Sequence, residues 1–193
     1  PPGPSRSEAG SVFVSGTDVY VAGYETNPNQ TGPTIARVWK NGIPGDLTNG
    51  INFAYAASVF ISGTDVNVAG TENNSIKDVA KVWKNGIATS LTNGSNDAAA
   101  YNIFVSGTDV YAAGFENNGT NDIAKFWKNG VATNLTSAAS NAVANFVWVS
   151  GTDVYVALGE QTGVGATYQA KLCKNGTLPS LASNAFSESS PNS

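Results

Sequence analysis

The strongest constraint on this chain is that it repeats itself four times. Ser-Gly-Thr-Asp recurs at Ser15–Asp18, Ser62–Asp65, Ser106–Asp109 and Ser150–Asp153, at spacings of 47, 44 and 44 residues. Trp-Lys-Asn-Gly recurs at Trp39–Gly42, Trp83–Gly86 and Trp127–Gly130, and returns as Cys173-Lys174-Asn175-Gly176. A fixed period of this length belongs to arrays in which one small unit cannot bury its apolar face alone and stacks on its copies.

Each unit reads as four short strands, A to D. Val12-Phe13-Val14-Ser15 and Asp18-Val19-Tyr20-Val21-Ala22 flank Gly16-Thr17, and glycine at the first central position is what a two-residue type II′ hairpin turn requires. Ile35–Lys40 and the run from Ile43 to Thr48 flank Asn41-Gly42, a pair that tolerates positive φ at both positions and predicts a type I′ turn. β-branched and aromatic residues dominate these runs, and no apolar period of helix length lies between them. The chain is therefore expected to be all-β. A period of about 44 residues with four antiparallel strands is the size of one β-propeller blade. The expected fold is a four-bladed β-propeller with blades at about residues 11–53, 54–97, 98–141 and 142–185, a Pro/Ser-rich linker at 1–10 and a tail at 186–193.

Phe13–Gly23 (FVSGTDVYVAG) and Ala80–Gly86 (AKVWKNG) resemble the tandem β-propeller repeats of secreted and surface-anchored bacterial proteins, over roughly residues 9–185. By period and blade layout the chain is also similar to tachylectin-type propeller lectins, a resemblance that implies sugar binding by fold analogy alone. It carries no residue roles, because the sugar-contact motifs of those lectins are not found in this sequence. The resemblance implies an extracellular or cell-surface location. The opening Pro1-Pro2-Gly3-Pro4 has linker composition and no initiator Met, as expected of a processed segment.

Composition narrows the chemistry. The chain has no His and one Cys, which excludes Ser-His-Asp and Cys-His catalysis, a His-ligated metal and an internal disulfide. A net charge of −4 without a basic cluster argues against nucleic acid, and no apolar run approaches a membrane span. No cofactor or metal is expected. Most ionisable groups recur in every unit: Asp18, Asp65, Asp109 and Asp153 after the first turn, Glu25, Glu72, Glu116 and Glu160 on strand B, and one base on strand C beside another at the C-to-D turn. Groups that recur are read as scaffold, whereas catalytic groups are placed once. The acids read as unrepeated, Glu8, Asp46, Asp78, Asp97, Asp122 and Glu188, have no motif around them, so the chain is expected not to be an enzyme. A glycan-active enzyme, which needs two carboxylates across one sugar, is the third-ranked reading. Trp39, Trp83 and Trp127 read as packing between blades in preference to sugar platforms, and Cys173 as a small buried apolar residue.

Length variation points to a rim. Between Asp18 and Trp39 lie 20 residues, against 17 in the second and third units and 19 before Cys173, whereas Leu47–Ser62, Leu91–Ser106 and Leu135–Ser150 are each 15 apart. The variable B-to-C loops carry Asn27, Asn29, Asn73, Asn74, Asn117, Asn118, Gln161 and Thr162, which are the candidate ligand-binding residues. Amides donate and accept together, which suits hydroxyl-rich ligands, and the same residues are what any exposed turn uses. The expected function is a non-catalytic extracellular recognition module for a carbohydrate or protein partner. The alternative is a structural or assembly subunit. A closed four-unit monomer is the expected assembly, against a homodimer completing an eight-bladed ring or a fragment of a longer one.

Overall fold

The computed structural model describes residues 6–26, 32–162 and 167–178. Its described residues form strands and turns without a helix, in four antiparallel sheets each made from consecutive strands. Sheet I holds β1 (Ser7–Ser15), β2 (Asp18–Thr26), β3 (Thr34–Lys40) and β4 (Ile43–Asp46). Sheet II holds β5 (Ala54–Ser62), β6 (Asp65–Asn73), β7 (Asp78–Lys84) and β8 (Ile87–Ser90). Sheet III holds β9 (Ala98–Ser106), β10 (Asp109–Asn117), β11 (Asp122–Lys128) and β12 (Val131–Asn134). Sheet IV holds β13 (Ala142–Ser150), β14 (Asp153–Gln161) and β15 (Tyr168–Lys174). The place expected for its fourth strand lies largely outside the described residues. The segment read as a linker at 1–10 already pairs with β2 from Ser7 onward, because Ser7 and Glu8 find strand partners in Glu25 and Tyr24.

The turns obey their residues. Gly16 takes φ 60° ahead of a Thr with ordinary φ, and Asn41-Gly42 take 51° and 81°, the two backbone patterns expected from these dipeptides. A close approach explains one further glycine: a Cβ on Gly114 would lie 1.9 Å from the Ala99 carbonyl oxygen, at the bulge between β9 and β10.

Strand register divides each sheet into two faces. In sheet I, Val12, Val21 and Trp39 stand side by side on what we call the leading face, and Phe13, Tyr20 and Lys40 on the trailing face. The trailing face of each sheet packs on the leading face of the next. Tyr20, Ala22 and Val38 meet Val59, Val68 and Trp83; Ala69, Ala80 and Val82 meet Ile103, Ala112 and Trp127; Tyr111, Ala113 and Ala124 meet Val147, Val156 and Cys173. Trp83 and Trp127 are thus inter-sheet packing, at 0% and 1% exposure. Such stacking of buried aromatic and branched side chains is the main source of stability in an array of small sheets.

The first strands of consecutive sheets lie against one another and are tied by side chains. The Val59 N–H donates to Ser11 Oγ (2.8 Å), the Ile103 N–H to Ser58 Oγ (3.3 Å) and the Val147 N–H to Asn102 Oδ1 (2.9 Å). Phe13, Phe60, Phe104 and Trp148 form a ladder of rings with centroids 4.9, 4.9 and 4.6 Å apart. Among the described residues no ring contact, core cluster or side-chain hydrogen bond joins sheet IV to sheet I. The expected closure between first and fourth units is therefore not seen. Its physical mark is exposure: Val12 and Val14 are 64% and 61% exposed where Val59 and Ile61 are 4% and 7%, and Phe146 and Trp148 are half-exposed on the other end.

Candidate functional site

The chain of sheets has two rims. One carries the tight hairpin turns; the other carries the B-to-C loops and the connections between sheets. On the hairpin rim each unit builds the same small network. The Lys40 ammonium lies 2.7 Å from Asp18, Asn41 Nδ2 donates to the same carboxylate, and the Val19 N–H donates to Asn41 Oδ1. Lys84, Lys128 and Lys174 reach Asp65, Asp109 and Asp153 at the same distance. The lysine and asparagine bonds hold all four aspartate carboxyls below the usual carboxylate range. This repetition makes the network part of the scaffold.

On the loop rim the predicted ligand residues are largely occupied by their own loops. Asn73 Nδ2 donates to Asp78 (2.8 Å) while its Oδ1 accepts from the Ser75 N–H, and Asn74 Oδ1 accepts from the N–H groups of Ile76 and Lys77. Asn74 Nδ2 reaches back to the Gly94 carbonyl at 3.1 Å. Asn117 binds Asp122 and the Gly119 N–H, and Asn118 Oδ1 binds the N–H groups of Thr120 and Asn121, in the same pattern. These are Asx turns, in which a side-chain amide stands in for backbone. Gln161 Oε1 accepts from Asn141 Nδ2, and the Thr162 N–H donates to the Thr167 carbonyl. Asn27 and Asn29 lie outside the described residues. The structure brings Asn73 together with Asn74, and Asn117 with Asn118, each pair on its own sheet.

One cleft on this rim has a volume of about 380 Å³ and adjoins sheet III. Its walls include the predicted Asn117 and Asn118, and also Asn96, Glu116, Lys125 and Asn134. Among the described residues the Asn96 and Asn134 side chains and Asn118 Nδ2 make no hydrogen bond to the chain. Glu116 and Lys125 pair with each other in diagonal register, as Glu25 with Arg37, Glu72 with Lys81 and Glu160 with Lys171 do. Because that pair recurs, the sequence reading placed it in the scaffold and missed it as a wall. A signal for Asn134 was present: the same strand position is Asp46 in sheet I and Ser90 in sheet II, so it varies while its partner on strand C stays basic.

The acids read as unrepeated do not converge. The Tyr24 hydroxyl donates to Glu8 (2.6 Å), Arg37 holds Asp46 (2.6 Å) and Lys77 holds Asp97 (2.7 Å). The Lys77 bond and the Asp78 N–H keep the Asp97 carboxyl below its ordinary range. Asp78 and Asp122 prove to be equivalent, each opening the third strand of its sheet and accepting from the preceding Asn, so their reading as unrepeated is corrected. Glu188 lies outside the described residues. Cys173 is buried, and burial pushes its thiol up, away from nucleophile chemistry. Among the described residues no three His, Cys, Asp or Glu side chains gather to hold a metal, and no helix is long and apolar enough to cross a membrane.

No protein-family model matches the sequence, and no curated protein matches it. Among solved structures the chain is similar to the Pyrococcus horikoshii acylaminoacyl peptidase, with a TM-score of 0.52 at 14% identity over 88% of this chain. It spans only 26% of the length of that peptidase chain, so the likeness concerns the arrangement of sheets alone. The repeated four-stranded sheets are consistent with a β-propeller-like architecture.

Proposed function

We propose that the chain is a non-catalytic, extracellular recognition module of four propeller blades that binds a carbohydrate through its loop rim. The observation that carries this reading is the 380 Å³ cleft beside sheet III, where Asn96 and Asn134 present free amide groups and Asn118 a free Nδ2 next to the Glu116–Lys125 pair. Amides offer paired donors and acceptors, and an ion pair held at the wall adds charge-assisted partners, a combination suited to vicinal hydroxyls. Its position on the rim whose loops vary in length supports the same reading.

The test is a glycan array followed by titration of the best oligosaccharide. Asn134→Ala, an exposed change at a strand end, is expected to weaken binding at least tenfold while leaving the melting temperature within a few degrees. Absence of any glycan ligand, or binding indifferent to Asn118→Ala and Asn134→Ala together, overturns the proposal.

A second reading, an assembly subunit, is supported by the apolar ends of the array: Val12 and Val14 at one, Phe146 and Trp148 at the other. Light scattering across a concentration series tests it. A mass that stays at 19.8 kDa at high concentration removes this reading.

A further inference from the structure

The second inter-sheet interface contains a cavity of about 230 Å³ on the hairpin rim, opposite the loop cleft. Its origin is a single departure from the repeat. The position occupied by Tyr20, Tyr111 and Tyr155 in sheets I, III and IV is Asn67 in sheet II. Where tyrosine is present, the lysine ammonium of the same sheet sits 5.4 Å from the ring centroid, and the hydroxyls of Tyr111 and Tyr155 lie 3.4 and 3.3 Å from Asp109 and Asp153. In sheet II the lysine and aspartate remain, with Lys84 2.7 Å from Asp65, but there is no ring between them.

The walls of this cavity are set for a ring. Val82, Leu91, Val110 and Ala112 supply apolar surface, and Trp127 closes one side. The Trp127 indole N–H is buried and unpartnered, a donor with nothing to donate to. Trp83 is unpartnered in the same way although Tyr20 fills the corresponding site there, so it is the unfilled volume and not the indole N–H that distinguishes this junction. Asn67 is itself 1% exposed, and its amide nitrogen makes only long contacts, 3.5 and 3.3 Å to the Phe60 and Asp65 carbonyls. Buried polar atoms left this poorly satisfied are costly unless something meets them. An apolar cavity of about 150 Å³ made by deleting a side chain binds benzene, so one of this size accommodates a substituted ring.

We infer that this cavity is a binding site for a small uncharged phenol, held where the missing tyrosine side chain would lie. The ring fills the apolar gap beneath Lys84, whose ammonium lies over its face, and the hydroxyl donates to the Asp65 carboxylate, as those of Tyr111 and Tyr155 reach Asp109 and Asp153. The site is independent of the glycan reading and lies on the other rim.

The probe is 4-methylphenol, the side chain of tyrosine as a free molecule, titrated into the isotope-labelled full chain. The expected result is saturable one-to-one binding, with shifts centred on Val82, Val110, Ala112 and the Trp127 indole N–H, and at least threefold tighter than for cyclohexanol. Asn67→Tyr fills the gap and is expected to weaken binding at least tenfold and raise the melting temperature. Shifts that do not saturate, that centre on the loop rim, or that are as strong with cyclohexanol each overturn the proposal. So does full binding by a folded Asn67→Tyr. If that variant does not fold, the shift pattern and the cyclohexanol ratio of the unaltered chain decide alone.

Discussion

The first and second inter-sheet interfaces use the same strands, the same indole and the same lysine–aspartate pair, yet one is filled and the other hollow. Between sheets I and II, Tyr20 packs with Trp83 and lies beneath Lys40. Between sheets II and III, Asn67 is too short to fill the corresponding space, and about 230 Å³ remains beside Trp127. The contrast shows that a tandem array can give one junction a separate property without changing its backbone. Neighbouring copies keep the register, so a deletion of side-chain volume stays local.

The comparison is most sharply tested through the two indoles. Trp83→Ala is expected to cost about 3–5 kcal/mol, and Trp127→Ala about 1 kcal/mol less, because the second site is already incompletely packed. Urea unfolding of the two variants measures the difference, and a larger loss at Trp127 would break the contrast. Next in size is Tyr20→Asn, which copies the second junction into the first. It is expected to cost about 2–4 kcal/mol and to raise the stoichiometry of 4-methylphenol from one to two, read by titration of the folded variant. The smallest effect concerns acid. Asp18, Asp65, Asp109 and Asp153 have carboxyls lowered in the folded chain, so their contribution is present above the unfolded carboxylate range, about pH 4, and is lost as pH falls through the lower folded value. Asp109 also receives the Tyr111 hydroxyl, which Asp65 lacks. Asp109→Asn is therefore expected to flatten the acid limb of a melting-temperature profile slightly more than Asp65→Asn.

Much of the architecture was legible in the sequence because it rests on local chemistry. Gly16-Thr17 and Asn41-Gly42 dictate their turns through allowed φ, and the recurring tryptophan identifies a position that packs between sheets at Trp83 and Trp127 but not at Trp39, which stays half-buried on the outer face of sheet I. The exposure of the outer face of sheet I was not legible, since Val12 and Val14 are as apolar as Val59 and Ile61 and only relative placement decides which pair is covered. The engagement of the loop amides was hidden for a related reason. Asn73, Asn74, Asn117 and Asn118 have the composition of a ligand surface, and hydrogen bonds to their own backbone absorb most of it. Asn67 stands in the sequence as an exception to tyrosine, but it is neutral and its importance lies in missing volume, which no charge pattern marks.

The ladder from Phe13 to Trp148 has a beginning and an end, and this gives the molecule an order of fraying. Among the described residues sheets II and III are packed on both faces, whereas the core clusters join sheets I and IV to one neighbour each. In a repeat array the sheets packed on one face open before those packed on two, so amide protons should exchange fastest on β1 and β15 and slowest on β6 and β10.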